Sequence, residues 1–443
     1  MKNIRATQQV LRPSLGGLLL AALAASPAWG IDLKNSDGSW TFSIDGEVNV
    51  DYIFSSCQST TSAVAVTGGL TCVGTASGSS VSNIANGLLP AAFTFGVATT
   101  QDGIDLSAHL GLYPGIATNN SGSPNLGPLG ASASNTALGT TGLDIRQVYM
   151  TFGNKDMGTF TLGRNIGLFG ADVILNDMTL PGVGAPGSAA GPVPANTTLG
   201  GIGFGYIYTD WLAQIDYTTP DFSGFGFTIG VFDPINSLSD VGTVDPKKAP
   251  GFHGKLTYTL PIAAGTKLYL SATFITQEQN FEVGAPAASY SYTGSGEDIF
   301  AKLDVQDLEL IGYYYHAEGL GTTALFLYGA FDAACTAPAV GVCPQTRTSD
   351  GYFAQATYKF GPLKLGVNYG ESKLDFANAA DQIVNPGLLA NNRKATVGLY
   401  YSLTKNLTLL GEYSNVKSTA QTSGPNGDTN SANTFNIGAY LGF

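Results

Sequence analysis

The sequence predicts an all-β protein, a transmembrane antiparallel β-barrel of sixteen strands with long loops on one side. Three observations predict it. First, in the final segment Phe435, Ile437, Ala439, Leu441 and Phe443 share one face of an extended strand, while Asn436, Gly438, Tyr440 and Gly442 share the other. Alternate side chains point to opposite sides of a strand, so this is an apolar face backed by a small, polar one. Second, only 12% of residues are charged, against about 25% in ordinary globular domains. Gly is abundant at 58 residues, and Tyr and Phe number 21 and 23. Third, alternating segments recur in pairs, joined by tight turns and separated by long polar loops. A barrel with lipid outside and water inside shows this pattern.

The N-terminal segment reads as a secretory signal. Lys2, Arg5 and Arg12 form a basic region, and Leu15 to Ala25 is a short apolar stretch. Ala28-Trp29-Gly30 offers a small-x-small cleavage site. Residues 1–30 are therefore set apart as a leader, with cleavage after Ala28 as the competing site, and 31–443 as one barrel domain. No later segment has the ~18 consecutive apolar residues of a spanning helix.

The net charge is −12. Nucleic-acid binding needs basic patches that displace counterions, so no nucleic-acid partner is expected. The four cysteines fall in two local pairs, Cys57 with Cys72 and Cys335 with Cys343. A chain exported through an oxidising compartment would join each pair as a disulfide. A 15-residue loop closed this way would be stabilised by about 3 kcal/mol in the chain-entropy model. No spacing resembles a zinc site, and no metal is expected.

The hairpins follow in order. Tight turns at 101–103, 155–158, 220–224, 261–265, 306–307, 361–362 and 404–406 join seven strand pairs. Gly, Pro, Asp and Asn supply the backbone angles these turns require. Seven pairs give fourteen strands, and 40–53 with 432–443 complete sixteen. Long loops are expected at 54–89, 117–143, 165–208, 234–250, 277–295, 317–349, 375–391 and 417–431. Residues 323–331 are apolar enough for a strand, but one more strand breaks the parity. They are placed in the sixth loop as a packed excursion or strand extension, with eighteen strands as the alternative.

Charge fixes the faces. In 251–260, Phe252, Leu256 and Leu260 oppose His253 and Lys255; in 392–403, Val397, Leu399 and Tyr401 oppose Lys394 and Thr396. A lysine on the lipid face at mid-bilayer costs about 2–4 kcal/mol, so the lysine-bearing faces must be the lumen. Lys255, Lys302, Lys359 and Lys394 are then inward. Lys302 shares its face with Asp298 and Asp304, where a local ion pair is the alternative to a selectivity role. His253 reads as a polar wall residue. Tyr and Phe near strand ends suit the membrane interfaces.

Sixteen strands enclose a channel too wide for wall side chains to fill. The third long loop is the candidate to narrow it. It follows Asp144-Ile-Arg146-Gln-Val-Tyr-Met-Thr-Phe-Gly153 and Gly158-Thr-Phe-Thr-Leu-Gly-Arg164, and runs through Asp172 and Asn176-Asp177-Met178-Thr-Leu-Pro181. Here the chain resembles the general porins of Gram-negative outer membranes. In that family an Arg-aromatic strand, a tight turn and a Gly-Thr/Ser-Phe-x-x-Gly-Arg strand precede a loop that folds into the lumen. Trp211 to Phe225 and the terminal aromatic Phe443 add to the likeness. The resemblance implies a trimeric, water-filled, passive channel in the outer membrane, with Phe443 read by the assembly machinery. By position Asp177 looks like the acidic loop residue, with Asp172 as a second candidate and Arg146 as the wall arginine opposite. Arg164 is either part of the constriction or a loop-anchoring arginine paired to a carboxylate. The acidic residue the family often carries after Pro181 is replaced by Gly182-Val183-Gly184, so a less acidic constriction is expected.

Enzymatic chemistry finds no support. His109, His253 and His316 fall on separate strands, so no nucleophile, base and orienting group come together. Gly200 to Gly205 lacks the lysine and helix of a phosphate loop. The expectation is passive diffusion of small hydrophilic solutes and ions, with lipid as surroundings and no cofactor or energy source. A channel selective for small acids or sugars, or a plugged barrel that binds partners through its loops, are the alternatives.

Overall fold

Backbone amides cannot stay unpaired in hydrocarbon, so strands that cross a bilayer must close on themselves. The computed structural model of the chain describes residues 30–58, 66–73, 78–116, 143–187, 196–235, 247–283, 288–327, 329–332, 345–421 and 429–443. Residues 1–29 of the expected leader lie outside these, as do Cys335 and Cys343.

The described strands form one antiparallel sheet of eighteen. They are β1 (Ile31–Lys34), β2 (Trp40–Cys57), β3 (Ser80–Ala85), β4 (Ala92–Gln101), β5 (Ile104–Pro114), β6 (Leu143–Asn154), β7 (Gly158–Ile166), β8 (Trp211–Thr218) and β9 (Phe225–Phe232). They continue as β10 (Gly251–Ala263), β11 (Thr266–Val283), β12 (Ala288–Val305), β13 (Leu308–Glu318), β14 (Thr348–Phe360), β15 (Leu363–Leu374), β16 (Leu389–Ser402), β17 (Leu407–Ala420) and β18 (Thr429–Gly442). Sixteen of them, β2 and β4 to β18, make the barrel. It closes where β18 pairs with β2, from Ala432 against Cys57 to Gly442 against Glu47. The terminal residue extends this seam. The Phe443 N–H donates to Gly46 O at 2.9 Å, and Phe443 O accepts from the Gly46 N–H at 2.8 Å.

Two strands go beyond the sixteen expected. β1 pairs with Thr41 to Ile44 of β2, below the end of β18. β3 pairs with Asp51 to Ser56, while β4 takes Trp40 to Glu47 on the same edge of β2. So β3 and β4 act as one neighbour interrupted by a detour at 86–91. The Ser-Val-Ser-Asn-Ile run of β3 has no apolar face, which is why it reads as loop. The expected loop at 277–295 is also mostly strand, because β11 and β12 pair from Val283–Ala288 to Thr266–Val305. Above the bilayer both faces meet water, so alternation gives no signal there.

The expected faces hold. Val397 is 59% exposed and Thr396 2%; Ile437 is 58% exposed and Asn436 1%. Tight turns need left-handed backbone, as at Asp102 (φ 50°) and Gly103 (φ 78°). Residues 323–327 and 329–331 form no named strand. Leu325, Phe326, Ala330 and Phe331 are buried, and the Tyr208 N–H donates to Thr323 O at 2.8 Å. Apolar side chains at successive positions need cover on every side, which the barrel interior supplies. Two short helices complete the described fold: α1 (Ala171–Asn176) in the third loop and α2 (Ala379–Val384) in the seventh.

Candidate pore constriction

The third loop crosses the lumen because a series of inward side chains holds its backbone. At its start Gly170 adopts φ 73° and caps α1. A Cβ there would lie 2.8 Å from Ile207 O, so only glycine fits. The Gly170 N–H donates to Asp298 Oδ2 on β12 at 2.7 Å. One turn on, Asp172 meets Lys255 of β10 in an ion pair of 2.6 Å. It also accepts from Tyr269 OH at 3.1 Å and from Ser271 of β11.

The middle of the loop is clasped in turn. Gln355 of β14 accepts from the Met178 N–H at 2.7 Å and donates to Asn176 O at 2.9 Å. Lys302 Nζ donates to Asn176 Oδ1 at 3.0 Å and pairs with Glu309 at 2.6 Å. The local-pair reading of Lys302 therefore has a partner, though Glu309 rather than Asp298 or Asp304. Asp177 accepts from the Thr179 N–H at 2.9 Å, Tyr206 OH at 2.8 Å and Asn368 Nδ2 of β15 at 3.2 Å. It is 3% exposed. Further on, the Val183 and Gly184 N–H groups both donate to Glu412 of β17 at 2.9 Å. Tyr400 OH donates to the same carboxylate at 2.7 Å.

The returning limb is held at the opposite wall. Arg146 is buried on the inner face of β6, where its Nη2 meets Asp144 at 3.2 Å and Asn196 Oδ1 at 3.2 Å. Its guanidinium lies 5.3 Å from the Tyr113 ring centre. Arg146 and Asp177 thus belong to two separate networks. Arg164 pairs in register with Val148 and Ala213, which share the outward face, and it sits at the root of the loop. Burial pushes the Asp210 carboxyl above its ordinary value, opposed by the Trp211 N–H and the nearby Arg164 charge.

The lysine wall is inward, as its spacing demands. Lys394 is 1% exposed, its Nζ has no hydrogen-bond partner among the described residues, and it feels the charges of Asp177 and Glu412. His253 stacks on Phe232 at 3.8 Å and is buried in the wall. Below α1 opens a cavity of about 340 Å³. Lys302, Lys359, Lys364, Asp304, Glu309 and Tyr400 are among the residues that line it, and Lys364 Nζ lies 4.7 Å from the Tyr400 ring. Above, Phe169, Phe204, Tyr206, Leu320, Leu325, Phe326 and Phe353 form an apolar cluster inside the barrel.

The sequence pattern did not single out Glu412, Gln355, Asn368 or Tyr206. Strand parity puts the first three on the lumen side, and that was the available signal. Parity does not reveal which backbone groups they hold. Cys57 and Cys72 are joined as expected.

A closed sixteen-strand barrel with a loop pinned across its lumen defines an outer-membrane channel. The sequence model of the Gram-negative porin family matches residues 17–421, and the chain belongs to that family. No curated protein matches it significantly. Solved structures do match in fold. The outer membrane channel DcaP of Acinetobacter baumannii aligns with a TM-score of 0.62 at 14% identity, covering 93% of this chain and 99% of that one. The anion-selective porin from Comamonas acidovorans gives 0.55 at 14% identity, covering 91% and 100%. OmpF of Salmonella typhi, in complex with daunomycin, gives 0.51 at 13% identity, covering 93% and 100%. The protein is an outer-membrane diffusion channel, and its family and fold are those of a channel.

Proposed function

We propose a narrow passive pore, working as a homotrimer, in which solutes pass beside the points where the carboxylates of the third loop meet the lysine wall. Asp172 and Asp177 stand on the loop; Lys255, Lys302, Lys359 and Lys394 stand on the strands facing it. The observation that carries this reading is the Asp172–Lys255 pair at 2.6 Å, which spans from loop to wall. Opposed charges in a confined, low-dielectric passage set up a transverse field that admits polar solutes and rejects apolar ones. In this reading Arg146 fastens the returning limb through Asn196, and Arg164 secures the loop root near Asp210. Phe443 serves as the assembly signal.

The apolar cluster around Phe204 and Phe326 favours a second reading, a channel selective for one class of small solute rather than a wide general pore. One experiment separates the two. Purified protein is recorded in a planar bilayer across a salt gradient. Large steps in groups of three support an open trimeric pore, and the reversal potential gives its ion preference. Small steps that a particular acid or sugar blocks support the selective channel. A silent membrane, with insertion confirmed, sinks both.

A further inference from the structure

The chain carries a second inward segment that the porin reading does not use. Residues 66–73 run against the ends of β16 and β17 and reach the third loop at Leu70. Their anchor is the Cys57–Cys72 disulfide, with Cys57 the last residue of β2. Cys72 adopts φ 61° and packs against the apolar cluster of the lumen. From the anchor the backbone is held at several points along the neighbouring strands β16 and β17. The Thr67 N–H donates to Gly387 O at 2.8 Å, and Thr67 O accepts from the Leu389 N–H at 2.9 Å. The Leu70 and Thr71 N–H groups both donate to Ser418 Oγ of β17 at 3.1 Å.

The tip of this strap meets the constriction. A Cβ added at Gly203 would collide with Leu70 and stand 3.1 Å from Thr323 Oγ1. Leu70 of the strap, Gly203 of the third loop and Thr323 of the sixth-loop excursion therefore converge on one point.

We propose that the disulfide-held strap is a second constriction of this pore, with Leu70 as its tip and a determinant of which solutes pass. The loop alone does not set the opening; the strap limits it from the side of β16 to β18. A disulfide suits this role because it ties the strap covalently to the end of β2, beside the buried hydrogen bonds to Ser418. The inference rests on the pore reading above, and its test separates the two.

The test uses the full-length protein in planar bilayers and in liposomes swollen with neutral sugars of increasing size. Three states are compared with wild type. One is protein reduced with dithiothreitol, which closes to its cyclic disulfide as two electrons and two protons reach Cys57 and Cys72. The second is Cys57→Ser/Cys72→Ser, which leaves Cys335 and Cys343 in place. The third is Leu70→Gly, which keeps the anchor. Each is expected to raise single-channel conductance roughly two-fold, as an opened cross-section does, and to admit larger sugars. Unchanged conductance and size limit in the double variant and in Leu70→Gly overturn the strap while leaving the pore standing. Lower conductance from a barrel that is still heat-modifiable overturns it too. If all forms, wild type included, are silent, the pore reading itself falls.

Discussion

Arg347 and Asp381 form a buried bidentate pair, with Nε to Oδ2 and Nη2 to Oδ1 both 2.7 Å. Arg347 belongs to the sixth loop and Asp381 to α2 of the seventh, so the pair latches two loops at the mouth. Asn378 extends the latch, donating to Asp332 at 3.0 Å and to Gln345 at 2.6 Å. Removing one partner of a buried pair typically costs about 3–5 kcal/mol. Arg347→Ala is expected to leave the barrel's β-sheet circular dichroism intact but to speed proteolytic cleavage in the sixth and seventh loops. Equal cleavage rates would show that the latch is dispensable.

The same pair sets a pH dependence. Burial pushes the Asp381 carboxyl up, but Arg347 and the donors from Ala377 and Asn385 outweigh it and hold it below its ordinary value of 3.8. A depressed acid gives stability that is fully present above the unfolded value and is lost as pH falls through the folded one. The latch is therefore expected to hold at neutral pH and to loosen under acid below 3.8. Protease susceptibility of these loops should rise there in wild type. Asp381→Asn should show the raised rate already at neutral pH and little change with acid.

Selectivity should depend on Asp172 more than on Asp177. Both are loop carboxylates, but Asp177 is enclosed by Thr179, Tyr206 and Asn368. A unit charge at contact distance in water is worth about 1 kcal/mol, roughly a five-fold change in an ion's permeability ratio. Asp172→Asn is expected to shift the reversal potential towards anions by about that factor, and Lys255→Gln towards cations. Asp177→Asn should shift it less. A larger shift from Asp177 than from Asp172 would reverse the assignment.

Glu412 holds the loop without facing the passage. Glu412→Ala leaves the Val183 and Gly184 N–H groups without their acceptor, a cost of about 1–3 kcal/mol for each buried group. The expected result is a noisier open channel, with closures absent in wild type and an unchanged reversal potential. A changed reversal potential would mean that its charge acts on ions directly.

At the barrel seam Phe443 packs its ring on Phe93, with centroids 5.6 Å apart. Phe443→Ala is expected to lower the heat-modifiable, folded fraction in outer-membrane preparations. Purified protein that does fold should conduct normally, which separates an assembly role from a pore role.

Much of this was legible in the residues. Lysines at alternate positions told inside from outside, and turn residues located the hairpins, because both signals are local. What the sequence withheld was partnership. Arg146 reads equally well as a free wall charge and as the clamp on Asn196. Arg347 and Asp381 lie in loops with no period to align them. Residues 80–85 look like polar loop and are strand, since a short edge needs no apolar face once β2 supplies its hydrogen bonds.

The detour between β3 and β4 has an evolutionary consequence. Leu88 and Leu89 donate to Gly182 O and Leu180 O at 2.6 and 3.1 Å, and Gly87 O accepts from the Thr198 N–H at 2.9 Å. A side chain at Gly87 would strike Gly182. The two segments, far apart in the gene, must therefore change in step. A chimera that grafts only one of them from another family member inherits half of a matched joint.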